Sequence, residues 1–181
     1  MQMFWTNPNP KQCAKDLDDK RLNKMIIETC QIMSTAIWKV NCDVAETLYS
    51  EGKIYLPTHE NHQIVVWSGG SFGNYLTCTV YLFELLVEYR YRFKKLHSCV
   101  EKYRNLWHYD YLFSGTMETK PLNCTTNHKH IKDTYLAYQK ELCYKWSTTD
   151  KKDPVWTKRK VPVFYKNFLT EVPNNNILQE T

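Results

Sequence analysis

The chain has 181 residues, 43% of them hydrophobic, enough for one sizeable core, and no shift in composition divides it, so residues 1–181 read as a single helical domain. Net charge is +5 and 14% of the residues are aromatic; cations that meet phosphates and rings that stack on bases suit a nucleic-acid partner. No GxxxxGK[ST] or GxGxxG pattern occurs, which argues against phosphate-loop NTPases and dinucleotide enzymes.

Residues 1–10 carry Phe4 and Trp5 ahead of Asn7-Pro8-Asn9-Pro10, which predicts an extended arm docked on the body. The start lacks a basic region followed by an apolar run, and no segment approaches about 18 uninterrupted apolar residues, so an intracellular protein, neither secreted nor membrane-bound, is expected. Gln2 is too bulky for the usual removal of an initiator Met, which leaves the free α-amine on Met1. From Lys15 to about Lys39, Leu22, Met25, Ile26, Thr29, Ile32, Met33, Ala36 and Ile37 recur at about 100° per residue and predict an amphipathic helix packed on a core.

Cys42 to Ser50 fits a short helix ended by Glu51-Gly52-Lys53, and Tyr55 to His62 is an irregular polar approach to the apolar run from Ile64 to Trp67. After the break at Ser68-Gly69-Gly70-Ser71, Asn74 to Phe93 predicts a second long helix. Its core side is Tyr75, Cys78, Thr79, Leu82, Phe83, Leu86, Tyr89 and Phe93, with Glu84, Glu88, Arg92 and Lys95 opposite. Cys99 to Trp107 suits a shorter helix, and Phe113 to His128 a loop. A third clear helix is expected from about His130 to Trp146, with Ile131, Tyr135, Tyr138, Leu142 and Trp146 inward. Pro154, Pro162 and Pro173 interrupt the remainder, and residues 170–181 read as a frayed tail. With no convincing strand pair, the expected class is all-α: a compact fold of three main helices and long irregular loops.

The polar edge of the first long helix is the densest candidate site. Arg21, Lys24, Glu28, Gln31 and Thr35 form a narrow stripe beside the apolar face. Lys24 lies one turn before Glu28, roughly 6 Å along the axis, and Arg21 two turns before it, roughly 10 Å. Such cations offset the desolvation of the carboxylate, and an ionised carboxylate there can stabilise a developing cation or shuttle a proton. A plain helix-surface ion pair accounts for the same spacing.

His59-Glu60-Asn61-His62 lacks the spacing that presents two imidazoles together on a helix, so Asn61 and His62 are expected to hydrogen-bond in a pocket or to cap the run into Trp67. Asp18-Asp19 read as helix-dipole partners. The seven cysteines are scattered without CxxC spacing and odd in number, so they read as reduced thiols rather than a disulfide frame or zinc site. No metal or cofactor is expected. Arg90, Arg92, Lys94 and Lys95 alternate with rings at the end of the second helix, where they complement the dipole or bind phosphate. A second basic run, Lys151-Lys152 with Lys158-Arg159-Lys160 around Trp156, reads as solvated charge.

Met1-Gln2-Met3-Phe4, Leu17-Asp18 with Lys20-Arg21-Leu22 and Lys24, then Glu28 and Gln31-Ile32, resembles the N-terminal signature of small bacterial and phage proteins grouped with pyrimidine-dimer DNA glycosylases. The likeness continues at Asn61-His62 before Trp67, where relatives carry Asn-His-Pro and position 63 here is Gln. It extends to Glu88-Tyr89 through Arg92, and so covers roughly residues 1–98. The resemblance implies a compact helical fold, double-stranded DNA as partner, and a lesion-specific glycosylase with an associated abasic-site lyase. In the characterised phage enzymes the N-terminal α-amine attacks C1′ of the damaged nucleoside, expels the base and forms a Schiff base, while a glutamate on the first long helix assists.

Carried over, the resemblance implies the Met1 amine as nucleophile, Glu28 as the essential carboxylate and Arg21 within the active site. Lys20, Lys24, Gln31, Asn61, His62 and Trp67 are the accompanying candidates for substrate binding, and Arg90, Arg92, Lys94 and Lys95 for nucleic-acid binding. An α-amine suits the chemistry because its ordinary pKa lies about two units or more below that of a lysine. The characterised enzymes expose a small processed N-terminal residue, whereas Met1 followed by Gln2 is expected to be kept here, and the arm before Asp19 is longer. Two further readings fit the same residues: a non-catalytic member that binds nucleic acid or protein, and an enzyme acting on a free nucleotide-like ligand in the same pocket.

Overall fold

The computed structural model describes residues 1–116 and 121–175, with side chains as far as Glu171. Among these residues the chain forms eight α-helices and no strand: α1 (Pro10–Asp16), α2 (Asp19–Val40), α3 (Cys42–Ser50), α4 (Gln63–Gly69), α5 (Phe72–Phe93), α6 (Val100–His108), α7 (Thr134–Tyr144) and α8 (Val163–Asn175). A 3-10 turn spans Asp110–Leu112, and a π-helical turn, Lys145–Thr149, follows α7 directly. No helix among the described residues is long and apolar enough to cross a membrane.

The two longest apolar stripes build the frame. All eight residues expected on the inner face of α2, from Leu22 to Ile37, are buried, and that face packs on α3, α4 and α5. Side-chain oxygens placed just ahead of the helices start them, as that of Asn41 does for α3, Ser71 for α5 and Asp133 for α7. The seven cysteines are free thiols, six of them buried and Cys42 exposed.

The single helix expected from Lys15 is two. Pro10 opens α1, which Asn9 caps, and the chain then passes through Leu17 and Asp18 in extended conformation before α2 begins at Asp19. Donors from far along the chain hold this junction. Arg92 reaches the carbonyls of Ala14, Lys15 and Leu17, and the Trp156 indole N–H donates to the Asp16 carbonyl at 2.9 Å. The arm therefore ends in a helical turn, and its extended part, residues 1–9, plants its middle, Met3 to Thr6, in the core. Met3, Phe4 and Trp5 are buried, with Phe4 edge-on to Tyr138 and Trp5 against Tyr81. Tyr81 Oη donates to the Phe4 carbonyl at 3.2 Å and Gln139 Nε2 to that of Thr6 at 2.8 Å.

On α5 the expected faces are partly exchanged. Phe83 is 44% exposed, while Glu88 and Arg92, expected to face solvent, are buried. Their charges are matched inside the fold: Arg92 Nε donates to Glu88 Oε1 at 2.7 Å, and Arg159 grips both Glu88 oxygens through Nε and Nη2 at 2.8 and 2.7 Å. Arg159 and the buried Trp156 thus belong to the packed structure rather than to a solvated charge cluster. The tail is also more regular than its prolines suggest, because Pro162 stands just ahead of α8, where a missing N–H costs little. Its carbonyl accepts from the Tyr165 and Lys166 amides at 3.1 Å. Tyr165 packs with Trp146 and Trp156. Of the tail expected to fray, residues 170–175 lie within α8, and residues 176–181 lie outside the described residues.

Candidate active site

With Met3, Phe4 and Trp5 anchored in the core, the first two residues are delivered to the polar edge of α2. The Gln2 amide N–H donates to Glu28 Oε2 at 3.0 Å, and Gln2 Nε2 donates to the Cys124 carbonyl at 3.3 Å. Lys24 Nζ approaches Glu28 Oε1 at 3.3 Å from one turn earlier on α2. These groups line a cleft of about 470 Å³, a volume within the range of roughly 300–1,000 Å³ usual for ligand sites. Met1 and Gln2 come from the arm, Lys20, Arg21, Lys24 and Glu28 from α2, and His62 from the start of α4. Cys124, Thr126 and Lys129 come from the segment before α7, and Lys145, Thr149 and Asp150 from the π-helical turn and its end. The Met1 amine, Lys20, Arg21, Lys24, Lys129 and Lys145 outnumber Glu28 and Asp150, so the cleft attracts anions.

His62 caps α4, its Nδ1 accepting from the Ile64 amide at 3.2 Å, which leaves the proton of the neutral ring on Nε2. Burial, then the positive N-terminus, His59 and Lys129, push its pKa below the ordinary 6.5 against the opposing pull of Glu28. A neutral imidazole therefore shares the cleft with the N-terminal amine.

Arg21 is nearly sealed. Its Nη1 donates to Asp18 Oδ1 at 3.1 Å and to Asp150 Oδ2 at 2.6 Å, and its guanidinium lies over the Trp146 ring, 5.7 Å from the centroid. Trp146 Nε1 in turn donates to Asp18 Oδ1 at 2.8 Å, and Lys20 Nζ meets Asp150 Oδ1 at 2.9 Å. Burial raises the Asp150 carboxyl, but hydrogen bonds from Arg21 and Lys20 outweigh it and hold the group below the usual carboxylate range. Lys145 sits 3.2 Å from Glu141 Oε1. Burial raises Glu141 too, and His128, the Asn127 amide and Lys145 bring it below its ordinary value.

The structure thus brings together Met1, Lys20, Arg21, Lys24, Glu28 and His62, and leaves other sequence candidates outside the lining. Gln31 lies one turn beyond Glu28, Asn61 is exposed, and Trp67 is half-buried against the core. Arg90, Lys94 and Lys95 are exposed at the end of α5, away from the cleft lining, where Lys94 closes the helix in left-handed conformation. Arg92 is fully buried and cannot reach a phosphate on the surface, a correction that follows from its carbonyl and carboxylate partners. Sequence reasoning missed Gln2 as a link and the whole second wall, Cys124 to Asp150. Nothing in the local pattern separates Lys129 or Asp150 from ordinary surface charges. Among the described residues, no three His, Cys, Asp or Glu side chains gather as a metal site requires.

A family model described as pyrimidine dimer DNA glycosylase matches residues 1–113. The match takes in the arm, Arg21, Lys24, Glu28 and His62, and stops before the second wall. No curated protein and no solved structure matches the chain.

Proposed function

The chain belongs to the pyrimidine dimer DNA glycosylase family, and from that premise we propose that the cleft removes a damaged base from double-stranded DNA and cleaves the resulting abasic site. Membership supports a DNA-repair function of this general type. The observation that carries the finer reading is the bond from the Gln2 amide to Glu28, because it sets the N-terminal residue beside a carboxylate inside a cationic cleft.

The chemistry follows from those groups. The neutral Met1 amine attacks C1′, and its nitrogen–carbon bond forms as the bond from C1′ to the base breaks; the base departs with the bonding pair and takes up a proton. Opening of the sugar ring leaves an imine on the Met1 nitrogen. Glu28, an acceptor already turned toward the N-terminus, stabilises the cationic stages and removes the C2′ proton whose loss expels the 3′ phosphate. The cationic walls hold the flanking phosphates. Both halves of the chain contribute to the cleft, which favours one domain over two, and a DNA substrate favours an intracellular site of action.

Borohydride reduction in the presence of a duplex carrying a pyrimidine dimer or an abasic site is expected to trap one covalent adduct. Glu28→Gln and acetylation of the α-amine should each abolish it. No adduct on either duplex, or one that survives both changes, overturns the reading.

A further inference from the structure

Arg21 is held by only one corner of its guanidinium. Both carboxylate contacts, from Asp18 and Asp150, fall on Nη1, and Trp146 covers one face. Among the described residues Nε and Nη2 have no protein partner, and neither is among the sealed, unpartnered polar atoms, which are Trp5 Nε1 and Asn74 Oδ1. The Nε–Nη2 edge is therefore not fully sealed, although the side chain as a whole is only 7% exposed, and Arg21 lines the cleft. That edge is the fork which accepts two oxygens of one planar or tetrahedral anion. Arg159 uses the same edge in this protein, taking both oxygens of Glu88 at 2.8 and 2.7 Å.

We infer that Asp150 and Trp146 are positioning residues that clamp Arg21 so that its free edge receives a phosphodiester oxyanion of the substrate. Both stand beyond residue 113, outside the family-matched segment. Asp150 fixes the guanidinium from the far wall while its other oxygen holds Lys20. Trp146 lies beneath the Arg21 cation and ties down Asp18, so the Asp18 contact and the cation–π contact move together. The carboxylates gather at the Nη1 corner, and Lys24 and Lys129 line the same cleft, so its field remains favourable to an anion. The phosphodiester identity rests on the proposed DNA substrate; the oxyanion site itself does not.

Two measurements on the full chain test this separately. In the wild type, with arginine nitrogens labelled, the Arg21 Nε–H resonance, assigned with Arg21→Lys, should shift on titration with inorganic phosphate and with a duplex bearing a stable abasic-site analogue. In fluorescence anisotropy with that duplex, Arg21→Ala and Asp150→Ala should each weaken binding roughly tenfold, and the double variant should bind no worse than Arg21→Ala. Losses that add, or Asp150→Ala binding as tightly as wild type, overturn the positioning role. An Arg21 resonance that ignores phosphate overturns the oxyanion site whatever the variants do. Phosphate that shifts Arg21 while the wild type binds no duplex supports the site and sinks the DNA reading; duplex binding untouched by either variant overturns the assignment of a phosphodiester to Arg21 and leaves the DNA reading standing.

Discussion

Replacing Arg92 tests the junction between α1 and α2 on which the cleft depends. Its buried guanidinium donates five hydrogen bonds: to Glu88 Oε1 at 2.7 Å, the Leu17 carbonyl at 2.8 Å, Asp19 Oδ1 at 3.0 Å, and the carbonyls of Ala14 and Lys15 at 3.3 and 3.0 Å. Arg92→Met keeps much of the volume and removes all five. Stripping one cation from a buried carboxylate pair costs about 3–5 kcal/mol, and each carbonyl that loses its donor adds up to about 1 kcal/mol, less where water enters. The expected loss is about 4–6 kcal/mol, which for a chain of this size lowers the melting temperature by roughly 10–20 °C. Urea unfolding followed by circular dichroism measures it, with the exposed Arg90→Gln as control, expected to change stability by less than about 0.5 kcal/mol.

Acid titration adds a second signature. Burial raises the Glu88 carboxyl, yet Arg159 and Arg92 together hold it below its ordinary 4.5. The stability it contributes is therefore complete above 4.5 and is lost as pH falls through the lower folded value. In Arg92→Met burial faces Arg159 alone, so the folded value lies closer to 4.5, less acid stability remains to be lost, and the loss is complete at a higher pH. A change under about 1 kcal/mol, or equal effects from Arg92→Met and Arg90→Gln, would refute the reasoning.

His62 should titrate below 6.5 by nuclear magnetic resonance; the stability its neutral ring contributes is full above 6.5 and declines as pH drops toward the folded value. Acetylating the Met1 amine removes a positive neighbour and should raise the midpoint, and an unmoved midpoint would place the amine elsewhere. Lys94 has φ 57° at the end of α5, so Lys94→Gly should stabilise the fold by about 0.5–1 kcal/mol in thermal or urea melts; destabilisation would mean that the cation–π contact of its Nζ, 5.4 Å from the Tyr91 ring centroid, outweighs the backbone strain. A thiol reagent should label Cys42 rapidly in the native protein and the other six cysteines only after denaturation. More than one fast thiol would show that the core opens.

Much of the fold is legible in the sequence because its largest energy is periodic. The apolar stripe of α2 buries as spaced and Asn41 starts α3 where expected, whereas α5 begins two residues before the expected Asn74 and α7 four residues after the expected His130, at the caps Ser71 and Asp133. Where the reading of faces failed, as at Glu88 and Arg92, periodicity had assigned charge to solvent. Burial of those charges depends on Arg159 and on the end of α1, each about 70 or more residues distant.

The site divides in the same way. The arm, Arg21, Lys24, Glu28 and His62 stand in a segment whose local pattern announces them, and the family match covers the same stretch. Residue spacing along one helix set the distance from Lys24 to Glu28, since a helix turn is a fixed length. Only tertiary structure decided that the N-terminus returns to Glu28, that Arg92 is spent on the core, and that Asp150 and Trp146 hold Arg21 from the opposite wall. Each of these is a polar contact between segments remote in sequence, and its strength comes from burial that no single segment possesses alone.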